Sequence, residues 1–249
     1  MTITSASKIN KRYYQEDFFF IDTMKNGDVL FGVFDGHDGD YTSYYANKYT
    51  KYIFKAVRKL YPELTPNETL SEVFKTLVKR TSHFTSGSTA NIVWYEASKR
   101  MLHIANLGDS KIIVKTKKNV FQSEDHNIRS NPDDAKNVID SRVGIICNGY
   151  LMNRFATWLG GLQPTRSLGD RELDSVLSRI PSIQSIKATK GTWVLCCTDG
   201  VIDSDQSLYY LPDYVDFINE NTNTAEDLLN FSMNYDYISD NATAIIARF

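Results

Sequence analysis

The sequence has few cysteines, no excess of either charge and no long apolar run. Its three cysteines, Cys147, Cys196 and Cys197, are odd in number, and two are adjacent, so they cannot easily pair. No Cys-x-x-Cys spacing marks a zinc site. Free thiols in a reducing compartment are expected. The formal net charge of −2 supplies neither a basic field for nucleic acid nor an acidity that would keep the chain disordered. The clusters Lys8–Arg12 and Lys115–Lys118 are short and read as solvated surface. The opening "MTITSASKIN" lacks the apolar stretch of a secretory leader, and Thr2 breaks the myristoylation pattern. No apolar run approaches the roughly 18 residues of a membrane span. A soluble cytoplasmic or nuclear protein is expected, without nucleic-acid or membrane partners. Repeats, low-complexity tracts and Pro/Gly/Ser linkers are also absent. Residues 1–249 therefore read as one domain, and 42% hydrophobic residues suffice for a sizeable core.

What is present alternates between strand and helix signals. "DFFFID" (Asp17–Asp22) and "VLFGVF" (Val29–Phe34) are β-rich runs, and Asn26-Gly27 between them predicts a hairpin. From Tyr41 the spacing turns helical, with Tyr45, Tyr49, Ile53, Ala56 and Leu60 as the apolar stripe. Thr65-Pro66-Asn67-Glu68 reads as an N-cap, a proline at the first helical position and a capping-box Glu. Leu70, Val73, Phe74 and Leu77 follow as the stripe of that second helix. Thr89–Ala97, Met101–Gly108 and Lys111–Lys118 read as an antiparallel meander. A weaker helix is expected over Asp133–Val143, a fully buried strand over Thr192–Gly200, a short helix over Ala225–Met233 and a last strand over Asn241–Phe249. This order fits antiparallel sheets covered by helices, an α+β class, better than a doubly wound parallel sheet.

Carboxylates sit where these strands end. Glu16-Asp17 precede one run, Asp35 and Asp199 each follow an apolar run as Asp-Gly, and Asp240 precedes the last strand. Asp109 lies in a turn between two strands. Any one of them alone reads as a turn or cap residue. Together at one sheet rim they would repel one another unless cations joined them, and hard divalent ions such as Mg²⁺ and Mn²⁺ take oxygen-rich sites. A calcium loop starting at Asp35 fails: His37 and Gly39 stand where Asp or Asn is needed, and Ala46 where Glu is needed.

Taken in order, "RYYQED" (Arg12–Asp17), "FGVFDGHDG" (Phe31–Gly39), "GSTANIV" (Gly87–Val93), "ANLGDSKIIV" (Ala105–Val114), "SEDHN" (Ser123–Asn127), "TRSLGD" (Thr165–Asp170), "CTDGVID" (Cys197–Asp203) and "SDNAT" (Ser239–Thr243) resemble the motifs of the metal-dependent protein serine/threonine phosphatases, type 2C. The resemblance covers nearly the whole chain. It implies a four-layer α-β-β-α sandwich, two antiparallel sheets flanked by helices, with a metal centre at one end between the sheets. It implies two Mg²⁺ or Mn²⁺ ions, with a third, weaker position. Asp35 would bridge the two ions, Asp199 and Asp240 would complete the first, and Glu16 with the Gly36 carbonyl would serve the second. Asp109 and Asp203, with Asp199, match the third position, and Asp17 would hold metal-bound water from behind. A water activated between the ions would attack phosphorus without a covalent intermediate. Arg12 would grip the phosphate and His37 would protonate the leaving oxygen. The implied partners are phosphorylated proteins, and the chain is expected to act as a monomer.

Several positions depart from the family pattern. Gln15 replaces Met and Ile202 replaces Trp. The Gly-Gly expected near "SRVGII" is missing, so the flap beside the site is expected to differ. Asp38 stands where the family has its first glycine after the histidine; it could hold water, raise the pKa of His37, or simply point outward from a turn. The short stretch between Ser204 and Ser239 suggests a minimal catalytic domain. Two other readings stand beside the phosphatase: an inactive scaffold of the same fold, and a phosphatase for a small phosphoester. His103 reads as a cross-strand residue, His126 as structural, His83 as loop, and Cys196 and Cys197 as core.

Overall fold

The computed structural model describes residues 1–155, 161–203, 207–233 and 239–249; parts of the stretch between Ser204 and Ser239 lie outside the described residues. In chain order the strands are β1 (Thr2–Lys8), β2 (Phe18–Thr23), β3 (Val29–Phe34) and β4 (Gly36–His37), followed by helices α1 (Tyr41–Leu60) and α2 (Pro66–Thr81). Then come β5 (Gly87–Ser88), β6 (Ala90–Glu96), β7 (Met101–Leu107), β8 (Lys111–Lys115) and β9 (Val120–Gln122). Helix α3 (Pro132–Asp140) leads to β10 (Gly144–Cys147), β11 (Tyr150–Asn153), β12 (Leu168–Gly169), β13 (Ser182–Lys187) and β14 (Trp193–Cys197). The chain closes with α4 (Ser207–Asn219), α5 (Ala225–Ser232) and β15 (Ala242–Arg248).

Two five-stranded antiparallel sheets face each other, ordered β13-β7-β6-β3-β2 and β1-β15-β14-β8-β9. Phe31, Val33, Val93, Ile104, Ile112, Val194, Cys196 and Ile245 fill the space between them. A second cluster, with Phe34, Phe54, Leu70, Phe74 and Trp94, lies under α1 and α2. A third, with Leu195, Ile218, Leu228 and Ile246, lies under α4 and α5. The result is helix pair, sheet, sheet, helix pair, as the sequence resemblance implied. Phe31 and Phe34 are fully buried on opposite faces of β3. Truncating either to Ala would cost about 3–5 kcal/mol. Strand β14 is buried on both faces, in line with its unbroken apolar run.

The hairpin forms as expected: Gly27 takes φ +86°, and Phe18–Thr23 pairs with Val29–Phe34. Thr65 caps α2 with the full capping box. Two expectations need correction. The meander does not continue past β7, because β8 pairs with β14 and β9 in the other sheet. The turn at Gly108 (φ +110°) carries the chain across the sandwich. Strands buried on both faces carry no sequence mark of the sheet they belong to. The buried stripe of α1 is also rotated. It runs Thr42, Ser43, Ala46, Thr50, Ile53, Phe54 and Val57, while Leu60 is 69% exposed. Small hydroxyl residues take part in this face by bonding inward, as when Thr50 Oγ1 donates to the Ala46 carbonyl at 2.6 Å. An apolar count misses them.

The registers place the strand-end acids together. Phe18 pairs with Phe34, so Asp17 and Asp35 lie at the same edge. Cys197 pairs with both Lys111 and Ala244, so Asp199, Asp109 and Asp240 lie at the matching edge of the facing sheet. Antiparallel pairing alternates strand starts and strand ends along one rim, and both sheets present that rim at the same end of the sandwich.

Candidate metal and phosphate site

One cleft of about 550 Å³ is lined by Arg12, Glu16, Asp35, Gly36, His37, Asp38, Thr89, Asp109, Asp199, Asp203 and Asp240, with Tyr150 and Gly161–Pro164 along one side. Every metal-ligand position expected from the sequence faces it. Burial pushes the Asp35 carboxyl well above the usual carboxylate range, and the charges of Asp199, Asp17, Asp240 and Asp109 push it the same way. Burial likewise raises Asp199, reinforced by Asp109, Asp240 and Asp203. Burial raises Asp109 to about 6, with Asp125 adding to the shift and a hydrogen bond from Asn127 opposing it. Burial also raises Asp17, to about 7, against a bond from Thr198. These are carboxylates held close against their mutual repulsion, and cations would relieve it.

The neighbouring residues show how the positions are held. Asp35 exchanges bonds with Thr89: its amide donates to Thr89 Oγ1 at 3.1 Å, and its carbonyl accepts from the Thr89 amide at 2.9 Å. Thr198 Oγ1 donates to Asp17 Oδ2 at 2.9 Å, while Asp17 Oδ1 is buried without a hydrogen-bond partner among the described residues. The Glu16 amide donates to Asn241 Oδ1 at 2.8 Å, and Glu16 Oε1 accepts from the Gly39 amide at 2.7 Å. A Cβ on Gly36 would stand 2.5 Å from both the Glu16 carbonyl and Ser43 Oγ. Glycine is therefore required here by packing, whatever its carbonyl does. The segment "SEDHN" braces the Asp109 turn. Asn127 Nδ2 donates to Asp109 Oδ2 at 2.7 Å, the Gly108 amide donates to His126 Nδ1 at 3.2 Å, and Asp125 lies 2.9 Å from the fully buried Lys111 ammonium. His126 is structural, as expected, and burial with the Arg166 charge lowers it to about 4.

A donor set made only of oxygens, mutually repelling, with one buried carboxylate oxygen left unbonded, fits hard divalent ions. Among the described residues, no group of His, Cys, Asp and Glu side chains closes into a ready ion site. One reason is visible at Asp240, whose Oδ2 lies 2.5 Å from Arg12 Nη2. Expected on a metal and on a phosphate, these two side chains meet each other instead. Their side chains are 40% and 53% exposed, and an ion pair this open contributes only about 0–1 kcal/mol. A cation or a phosphate can displace it.

The model for protein phosphatase 2C matches residues 13–236. The chain belongs to the protein phosphatase 2C family. Among its relatives are probable protein phosphatase 2C 52 of Oryza sativa subsp. japonica, 31% identical over 207 residues covering 74% of this chain and 39% of that protein. Probable protein phosphatase 2C 76 of Arabidopsis thaliana is 30% identical over 207 residues, covering 78% of this chain and 46% of that protein. The chain thus spans less than half the length of these curated relatives. Among solved structures, serine-threonine phosphatase 2C from Toxoplasma gondii superposes with a TM-score of 0.77 at 19% identity, covering 98% of this chain and 93% of that one. A C. elegans sex determining protein superposes with a TM-score of 0.81 at 22% identity, covering 98% and 64%. At such identities these two likenesses show the shared fold.

Within this protein phosphatase 2C domain, Asp38 is exposed and holds φ +54°, a left-handed conformation that explains why glycine is usual there. It is exposed at the rim of the cleft that it helps to line, and it also acts on His37. Burial pushes the His37 imidazole down, but the Asp170 carboxylate outweighs it, with smaller help from Asp38 and Asp109, and the net shift is upward. Asp170 is a residue the sequence reading missed. His37 Nε2 lies 2.9 and 3.0 Å from its two carboxylate oxygens. The flap carries its own small core, with Val138, Leu151, Leu162 and Leu173. No helix among the described residues is long and apolar enough to cross a membrane.

Proposed function

We propose that this chain is a divalent-metal-dependent phosphatase acting on phosphoserine and phosphothreonine in proteins. The observation that carries the reading is the convergence of Asp35, Asp199, Asp240, Asp109 and Glu16 from both sheets into one cleft. In this reading, Asp35, Asp199, Asp240, Glu16 and the Gly36 carbonyl hold two Mg²⁺ or Mn²⁺ ions, and Asp109 and Asp203 join Asp199 at a weaker third position. The ions, when bound, supply Lewis-acid chemistry: they acidify water and offset charge on the phosphoryl oxygens.

The protein's own groups do the rest. Asp17, fixed by Thr198 and with a free oxygen, orients water entering the cleft. Arg12 turns from Asp240 to the phosphate, where its planar fork matches two oxygens. His37 holds a proton near the leaving oxygen, whose alkoxide is too basic to depart unassisted. Cys196 and Cys197 are buried and far too weakly acidic to act as nucleophiles, which agrees with direct attack by water.

The test is hydrolysis of an aryl phosphate by purified protein with Mn²⁺ and with EDTA. Metal-dependent turnover is expected. A folded protein that shows none, and that gives no heat on Mn²⁺ titration, would favour the inactive-scaffold reading. Faster turnover of small phosphoesters than of phosphopeptides would shift the substrate class.

A further inference from the structure

The small sheet β12-β5-β4 contributes only Leu168 to the core cluster under α1 and α2, yet it brings together three remote segments. Its register sets His37 opposite Gly87, and Gly87 opposite Gly169. His37 thereby meets Asp170, the residue that follows β12. A Cβ on Gly87 would lie 1.9 Å from His37 Nε2 and 2.1 Å from Asp170 Oδ2, so only glycine fits beneath the pair. Asp170 itself is 4% exposed and takes φ +49°, a strained position for a residue with a side chain. It is held from several sides. Ser167 Oγ donates to its Oδ2 at 2.5 Å, its amide donates to the Ser86 carbonyl at 3.1 Å, and Arg179 Nη1 donates to the Ser167 carbonyl at 2.6 Å.

The ring direction follows. His37 lines the carboxylate cleft, whereas Asp170 lines an adjoining cavity of about 270 Å³ with Asp38, Thr85, Glu172 and Leu173. Nε2 faces Asp170, which lines the adjoining cavity and not the carboxylate cleft. A carboxylate only accepts, so Nε2 carries a proton, and Nδ1, which has no hydrogen-bond partner among the described residues, is the nitrogen left for the cleft.

We propose that Asp170 is the positioning residue of His37: it fixes the ring so that Nδ1 delivers the leaving-group proton. The proposal rests on the phosphatase reading. In the step, the water oxygen bonds to phosphorus as the bond from phosphorus to the seryl or threonyl oxygen breaks. The Nδ1 proton passes to that oxygen, the water releases a proton to solvent, and Nδ1 regains one from solvent. Phosphomonoester dianion and water become alcohol and hydrogen phosphate.

An ion pair that merely closed the small sheet would affect all substrates alike. A group that orients a proton donor matters most where the leaving group is poor. The experiment compares wild type, Asp170→Asn, His37→Gln and the double variant on a phosphothreonine peptide and on p-nitrophenyl phosphate, with Mn²⁺. The ratio of kcat on peptide to kcat on aryl phosphate is expected to fall by roughly tenfold or more in each single variant, and no further in the double one. Equal slowing on both substrates, or multiplying losses in the double variant, would overturn the proposal. Should Asp170→Asn not fold, Ser167→Ala, which removes a bond to the same carboxylate, is expected to lower the ratio less; an unchanged ratio would overturn it. In metal-free protein, ¹⁵N NMR of His37 is expected to show a proton held on Nε2 in wild type and redistributed in Asp170→Asn. A wild-type ring protonated only at Nδ1 would contradict the placement. A wild type inactive on both substrates would overturn the acid step together with the phosphatase reading, while an active one with an unshifted ratio in Asp170→Asn would overturn the acid step alone.

Discussion

Arg12 Nη2 and Asp240 Oδ2 meet at 2.5 Å although 228 residues separate them in sequence. The pair joins the approach to β2 to the entry of β15, on the rim where the acids gather. It is open to solvent, so it contributes little to stability, and both partners have a better use in the proposed reaction.

Arg12→Ala is therefore expected to change stability by no more than about 1 kcal/mol. It is expected to raise KM for a phosphopeptide by roughly tenfold or more, the loss of one charge-assisted contact to phosphate. Arg12→Lys should recover part of that, as a cation without the fork. Thermal melts and steady-state kinetics on the same preparations check both halves. A large loss of stability with KM unchanged would mean that the ion pair is the residue's purpose.

The clustered carboxyls make a second prediction. Asp109, raised to about 6, Asp17, raised to about 7, and Asp35 and Asp199, each raised well above the ordinary carboxylate value, bind protons in the folded chain that the unfolded chain has released. Stability without metal then falls as pH rises through these values. His126, lowered from 6.5 to about 4, works in the opposite sense, but only below its ordinary value. Between pH 6.5 and 8 the acids act in the same direction as His37, whose imidazole, raised above 6.5 by Asp170, also gives up a stabilising proton there. The melting temperature in EDTA should drop across that interval, and excess Mg²⁺ should reduce the drop. A flat profile in EDTA would contradict the crowding of charges described here.

Asp38 gives a third. At φ +54° an Asp side chain costs about 1 kcal/mol that glycine does not incur, offset in part by the entropy glycine loses on folding. Asp38→Gly is expected to stabilise by up to about 1 kcal/mol, a rise of about 2–4 °C in Tm. A destabilised variant would show that the carboxylate makes a contact worth more than the strain.

The strand-end acids were legible because each follows or precedes a run that burial explains and charge does not. The capping box of α2 and the Asn-Gly hairpin were legible for the same reason: short-range chemistry fixes them. The crossing from β7 to β8 was not, since two buried strands joined by a tight turn look alike whether they pair or part. Strand β1, paired along its whole length with β15, was also missed. Its run "TITSASK" is polar and half-exposed, and only a partner far along the chain makes it a strand. Asp170 was hidden inside "TRSLGD", where nothing local says that a histidine lies beside it. The signal that could have found it is Gly87, a glycine whose missing Cβ leaves room for exactly one contact between remote segments.

Thiol chemistry offers a fourth check. Cys147 is exposed, while Cys196 and Cys197 are buried, and burial pushes the Cys197 thiol to about 12. An aromatic disulfide reagent should titrate one thiol rapidly in the native protein and the others only on unfolding. Fast reaction of a second thiol would mean that β14 is less enclosed than described.

The most direct measurement is phosphate release from a phosphothreonine peptide on adding Mn²⁺ to metal-free wild type and to Asp35→Asn, both verified as folded. Asp35 stands at the meeting point of both sheets' acids. Turnover that begins with Mn²⁺ in wild type and is lost by several orders of magnitude in Asp35→Asn is the predicted result. Turnover in EDTA, or an Asp35→Asn protein as active as wild type, would contradict the account.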